Sequence, residues 1–139
     1  MRVRVLVLVG VVVSTSLLSF IAVGVGAALG AWLRWGLSVW LNDQLANFPL
    51  GTFVANVIGG LLIGIAIAYF SEHTTLSPVW RLAIMTGFLG GLTTFSTYSA
   101  EVVGLLARGQ IGWGIGVAVA HLAVSFAFTA LGLWAYRAV

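Results

Sequence analysis

The sequence predicts an all-α membrane protein with four transmembrane helices, and three observations carry that prediction. First, 61% of the 139 residues are hydrophobic and only 6% are charged, whereas a water-soluble domain carries about a quarter charged residues. So few charges cannot cover a water-facing surface, and the apolar excess must face lipid. Second, the apolar residues fall into four stretches long enough to span a bilayer core, which takes about 20 residues of helix. Third, the gaps between them are short and polar, which forces consecutive helices to be antiparallel neighbours. The whole chain, 1–139, reads as one membrane domain.

The first span covers about 17–41, and its only charge is Arg34. Ahead of it, Arg2 and Arg4 precede the apolar run 5–13, a pattern like the charged and hydrophobic regions of a signal peptide. No small-residue cleavage site follows. The extension 1–16 therefore reads more readily as a prolonged first helix or a start codon placed too early. The second span, about 50–70, has no charge. The third, about 79–107, has Arg81 near its start and Glu101 well inside. The fourth, about 111–136, contains His121. The gaps are Asn42-Asp43-Gln44, residues 71–78 and Arg108-Gly109-Gln110. Trp32, Trp35, Trp40, Trp80, Trp113 and Trp134 lie mostly near the span ends, where an aromatic belt is expected.

The net charge of +3 arises from six arginines, with no lysine, set against three acidic residues. Scattered along the chain, they make no basic patch, so nucleic acid is not an expected partner. Arg2, Arg4, Arg81 and Arg137 fall on one side of the membrane, Arg34 and Arg108 on the other. Without the extension the count is two against two, a balance compatible with insertion both ways round. The absence of cysteine excludes disulfides and thiolate metal sites.

Lipid supplies no hydrophobic drive between helices, so close packing through small residues takes its place. The 18 glycines fall at helical spacing: Gly26 and Gly30, continued by Arg34 and Ser38; Thr52 and Asn56 with Gly60 and Gly64; Gly87 and Gly91; Gly112 and Gly116. Every span offers a small face. Four helices enclose little interior, so a polar path shielded from lipid is easier to build between two copies, and a dimer is the expected assembly.

Polar groups inside a membrane span require partners and mark functional candidates. Asn56, two turns into the second span, has an amide able to donate two hydrogen bonds, either to an anion in a pore or to a neighbouring helix. The run Gly87-Phe88-Leu89-Gly90-Gly91-Leu92-Thr93-Thr94-Phe95-Ser96-Thr97-Tyr98-Ser99 is a poor helix and predicts a break near Gly90–Thr93. A break at membrane depth is tolerated only where it is buried or lines a cavity, and its freed carbonyls suit a hard cation such as Na⁺. Phe95 and Tyr98 share a face, and their positive ring edges attract anions. His121, Ser125 and Thr129, four apart, suggest a lined path, although hydroxyls also bond to their own helix. Arg34 and Glu101 serve a vestibule or a structural role.

These segments resemble the Fluc (CrcB) family of fluoride channels. The likeness rests on Gly26-x-x-x-Gly30-x-x-x-Arg34-Trp35, on Gly51-Thr52-Phe53-x-x-Asn56-x-x-Gly59, and on the long run from Gly87 to Ser99 followed by Glu101. They occur in the family's order and cover the chain from about residue 20 to its end. The resemblance implies an antiparallel, dual-topology homodimer with two pores in the cell's plasma (inner) membrane. It implies a fluoride pore built from Asn56, Phe95, Tyr98, Ser96 and Thr97, with His121, Ser125 and Thr129 of the last span. It also implies a central structural Na⁺ held by the backbone carbonyls of Gly90 and Thr93 of both subunits. The family pattern has Phe where this chain has Tyr98.

A small dual-topology, proton-coupled drug exporter would have similar length and span count. It requires a carboxylate deep in its first helix, and here that helix has none; Glu101 is the only candidate. A non-transporting membrane subunit would need neither Asn56 nor the hydroxyl run. No nucleophile–base pair or metal cluster marks an enzyme.

Overall fold

The computed structural model describes the backbone over residues 2–138 and the side chains over residues 16–138. The side chains of the N-terminal extension therefore lie outside the described residues. The described chain is helical, without strands. It comprises α1 (Arg2–Leu41), a 3₁₀ turn (Asn42–Gln44), α2 (Leu50–Glu72), α3 (Pro78–Arg81), a π-helical segment (Leu82–Leu89), α4 (Gly90–Leu92), α5 (Ser96–Ala107) and α6 (Ile111–Arg137).

Among the described residues, three helical stretches are long and apolar enough to cross a membrane: Ser16–Gln44, Leu50–Glu72 and Ile111–Arg137. They coincide with the first, second and fourth predicted spans. The polar gap after α1 is more than a linker. Asn42 Oδ1 accepts from the Gly51 N–H at 2.8 Å and the Thr52 N–H at 3.4 Å. It thus satisfies two of the amides that the first turn of a helix leaves without partners.

The third predicted span, 79–107, is not a single helix. It starts at Ser77, whose hydroxyl accepts from the Val79 N–H, with Pro78 in the first turn, where its missing N–H is no loss. The chain then widens into the π-helical segment Leu82–Leu89. The expected break falls at residues 93–95, slightly beyond Gly90 and Gly91, which stay helical in α4. Two interactions hold that last turn. Thr93 donates both its N–H and its hydroxyl to the Leu89 carbonyl, at 3.0 and 2.8 Å, and the Arg34 Nε–H donates to the Gly91 carbonyl at 3.1 Å. Thr93 itself is extended, with φ −83° and ψ 153°.

α1 packs on the π-helical segment and α4, while α2 packs on α6, which also carries α5. Glycine sets both main approaches. A Cβ on Gly30 would sit 2.7 Å from the Leu92 backbone nitrogen, and one on Gly64 would sit 2.8 Å from that of Leu133. The pair Gly112 and Gly116 meets open space; α6 docks instead through a stripe that includes Gly114, Val117, His121 and Gly132, all buried. Ala55, Ala66, Leu89 and Leu92 form the small buried core. The six tryptophans are all at least half exposed, as an outer surface in lipid allows.

Candidate functional site

The break opens onto a cleft of about 410 Å³. Asn56 from α2, Gly90 from α4, Thr93 and Phe95 from the break, Tyr98 from α5, and His121, Ser125 and Thr129 from α6 all line it. Eight of the twelve residues singled out from the sequence thus converge on one concavity. Ser96, Thr97, Arg34 and Glu101 are not among its lining residues.

Asn56 sits two turns into α2 because the Asn42 cap fixes where that helix begins. Its amide meets the broken segment at Thr94 from both sides. Oδ1 accepts from the Thr94 N–H at 2.8 Å, and Nδ2 donates to the Thr94 carbonyl at 3.1 Å. The side-chain amide takes the place of a neighbouring backbone strand. Nδ2 also lies 3.3 Å from His121 Nδ1.

These bonds change which backbone groups are free. In a continuous helix the Thr94 N–H would close on the Gly90 carbonyl, and the Thr97 N–H on that of Thr93. Here Thr94 donates to Asn56, and Thr97 donates to Thr94 Oγ1 at 3.1 Å. The Gly90 and Thr93 carbonyls therefore lose their helical donors at the edge of the cleft. Unpaired carbonyl oxygens are the donor set a hard cation takes, so the residues present fit a Na⁺ ion.

Ser96 and Thr97 instead help to build the start of α5. Thr94 Oγ1 donates to Thr97 Oγ1 at 3.1 Å and lies 3.3 Å from Ser96 Oγ. With the Thr97 N–H this makes Thr94 the side-chain cap of that helix. Ser99 turns back to the Phe95 carbonyl at 2.8 Å.

An aromatic chain borders the cleft. Phe95 meets Tyr98 edge-on, with centroids 5.5 Å apart and planes at 61°. Tyr98 stacks on His121 at 4.7 Å, and Phe53 meets the other side of His121 edge-on at 5.2 Å. Phe48 continues the chain through Phe53 at 5.1 Å. Phe95 is 74% exposed, whereas Tyr98 and His121 are buried. The hydroxyl that distinguishes Tyr98 from phenylalanine donates to the Ala118 carbonyl at 3.2 Å, which ties it to α6 and leaves the ring stacked on His121.

Arg34 and Glu101 act as struts beside the cleft. Arg34, rather than reaching for the headgroups, holds the Gly91 carbonyl. Glu101 Oε1 accepts from the hydroxyl of fully buried Thr52 at 2.7 Å, and its Oε2 is buried with no partner among the described residues.

Sequence reasoning missed Thr94, which pins the break to α2 and caps α5, and Phe48, which extends the aromatic chain. A threonine three residues before the Thr97 amide it caps is a recognisable signal. Phe48, in the loop before α2, left none.

Fold and site together define a multi-pass membrane protein with a largely apolar, aromatic-bordered cleft, dotted with a few polar side chains, beside a broken helix. Residues 21–133 match the protein family described as CrcB-like protein, Camphor Resistance (CrcB). The fluoride-specific ion channel FluC of Cupriavidus taiwanensis is 57% identical over 120 residues, which cover 86% of this chain and 95% of that protein. Those of Cupriavidus pinatubonensis and Thiobacillus denitrificans are 55% and 56% identical, again over 86% of this chain and over 95% and 96% of theirs. The chain belongs to the CrcB family.

Proposed function

We propose that this chain is a fluoride-selective channel that lets F⁻ leave the cytoplasm down its gradient. It does so as an antiparallel, dual-topology homodimer in the plasma (inner) membrane. The relatives' designation as fluoride-specific ion channels supports the reading. The observation that carries it is the single cleft into which Asn56, Phe95, Tyr98, His121, Ser125 and Thr129 converge from three separate parts of the chain.

Fluoride is small and strongly hydrated, so its passage requires protein groups that replace water. The hydroxyls of Ser125 and Thr129 supply donors on one wall, and the edges of Phe95 and Tyr98 add positive potential without binding tightly. Phe95, largely exposed on the protomer, suits a wall completed by a second copy. Ser96 and Thr97 shape the approach to it. The Gly90 and Thr93 carbonyls of both subunits would hold a Na⁺, which supplies a fixed positive field at the dimer centre, far stronger in a low dielectric than in water.

Efflux from liposomes containing the purified protein, followed with a fluoride electrode, tests the proposal. Fluoride is expected to leave much faster than chloride; equal rates would refute selectivity. Asn56→Asp replaces the Nδ2 donor with a carboxylate oxygen facing the Thr94 carbonyl and His121 Nδ1, and puts negative charge on the route. Phe95→Ile keeps bulk and removes the ring edge. Each is expected to lower fluoride efflux at least tenfold. Wild-type rates in both would place the pathway elsewhere.

A further inference from the structure

We infer that the anion donor serving this cleft is the Nε2–H of His121, and that Asn56 positions it without binding the anion directly. The inference rests on the fluoride reading of the same site and names the atom that acts there.

The hydrogen bonds fix the chemistry of both side chains. A backbone N–H can only donate and a backbone carbonyl can only accept. Thr94 offers one of each to Asn56, at 2.8 and 3.1 Å, so the orientation of the amide is determined without ambiguity between its oxygen and nitrogen. The atom 3.3 Å from His121 Nδ1 is therefore Nδ2, a donor. Nδ1 must accept, which leaves the ring proton on Nε2. Nδ2 has two hydrogens; Thr94 takes one and His121 the other. Asn56, which as a sequence motif looked like the anion ligand, has no donor left.

Nε2 is in the opposite position. It is buried and has no hydrogen-bond partner among the described residues, on a side chain only 3% exposed. A buried N–H without an acceptor is rare in a folded protein and calls for a partner. The ring around it is held on every side. Tyr98 stacks on one face, Phe53 stands edge-on, and Phe48 lies 6.3 Å away. A neutral donor in an aromatic setting favours a small, hard acceptor that can enter such a gap over a larger halide. Nε2 lies below the surface of the cleft, so an anion reaches it when a neighbouring ring shifts.

Two measurements test the assignment. The first uses ¹⁵N-histidine NMR on the dimer in lipid nanodiscs, in a His73→Gln background that leaves His121 as the only histidine. The ring is expected to carry its proton on Nε2, and the Nε2–H resonance to shift on addition of fluoride and stay unchanged with chloride. A proton on Nδ1, or no response to fluoride, would overturn the assignment whatever the flux. The second is liposome efflux. His121→Phe retains the ring stack and removes the donor, and is expected to lower fluoride efflux at least tenfold. His121→Gln, which restores an N–H, is expected to recover part of that loss. Wild-type flux in His121→Phe refutes the donor role while leaving the fluoride channel standing. Failure of the unmutated protein to pass fluoride instead refutes the channel reading itself.

Discussion

Replacing Asn56 by leucine tests how the broken helix is held. The two side chains share the same branched heavy-atom skeleton, so the change removes hydrogen bonds while keeping the shape. Three are lost: the Thr94 N–H and carbonyl, and His121 Nδ1. Interhelical hydrogen bonds within a membrane average about 0.6 kcal/mol and reach about 1.7, so the loss lies between about 2 and 5 kcal/mol. The upper part of the range is expected, because the Thr94 backbone lies in a break and has no helix of its own to return to. Reversible unfolding in mixed micelles measures the total. Hydrogen exchange at the Thr94 amide measures the local share, and since about 1.4 kcal/mol is tenfold, exchange should accelerate at least tenfold. A destabilisation under about 0.5 kcal/mol with unchanged Thr94 protection would refute the tether.

Two further pairs of substitutions separate packing from propensity and probe the buried carboxylate. Gly30→Ala drives a methyl onto the backbone of Phe88 and Leu92, which cannot give way, and should destabilise by about 3 kcal/mol or more. Gly24→Ala, where the new methyl meets nothing within 4 Å, should leave the unfolding midpoint unchanged or raise it through helix propensity, by up to about 1 kcal/mol. Thr52→Val keeps shape and removes the donor to Glu101, leaving neither carboxyl oxygen with a partner. A loss of about 1–3 kcal/mol is expected, and Thr52→Ser should restore most of it; a neutral Thr52→Val would show that the bond adds nothing.

The three continuous spans were legible because hydropathy and length suffice to find a helix in lipid. The break was legible in kind, since Gly90-Gly91 followed by Thr93-Thr94 is a poor helix. Its position was not. It depends on Arg34 holding the Gly91 carbonyl from 57 residues away, a contact no local window shows, as well as on Thr93 closing doubly on Leu89 one turn back. The π-helical turn was likewise hidden, because it forms where α1 presses on Ala83 and Phe88 through Gly26 and Gly30. Among the site residues, those on regular helices were found by spacing, and with Thr93 and Phe95 of the break eight in all meet in the cleft. What spacing could not give was partnership. Asn56 read as an open pair of donors, and only its reach to Thr94, 38 residues on, and to His121, 65 residues on, reveals that both are taken.

A discontinuity in a membrane helix usually supplies a hinge. Here the loose ends are fastened: Arg34 ties one side to α1, Asn56 ties the middle to α2, and Thr94 starts the next helix at once. The throat is braced like a masonry arch, with every loose stone keyed to a neighbour. Traffic through it would then be paced by the shedding and regaining of water by each ion, with no rocking of the scaffold to wait for.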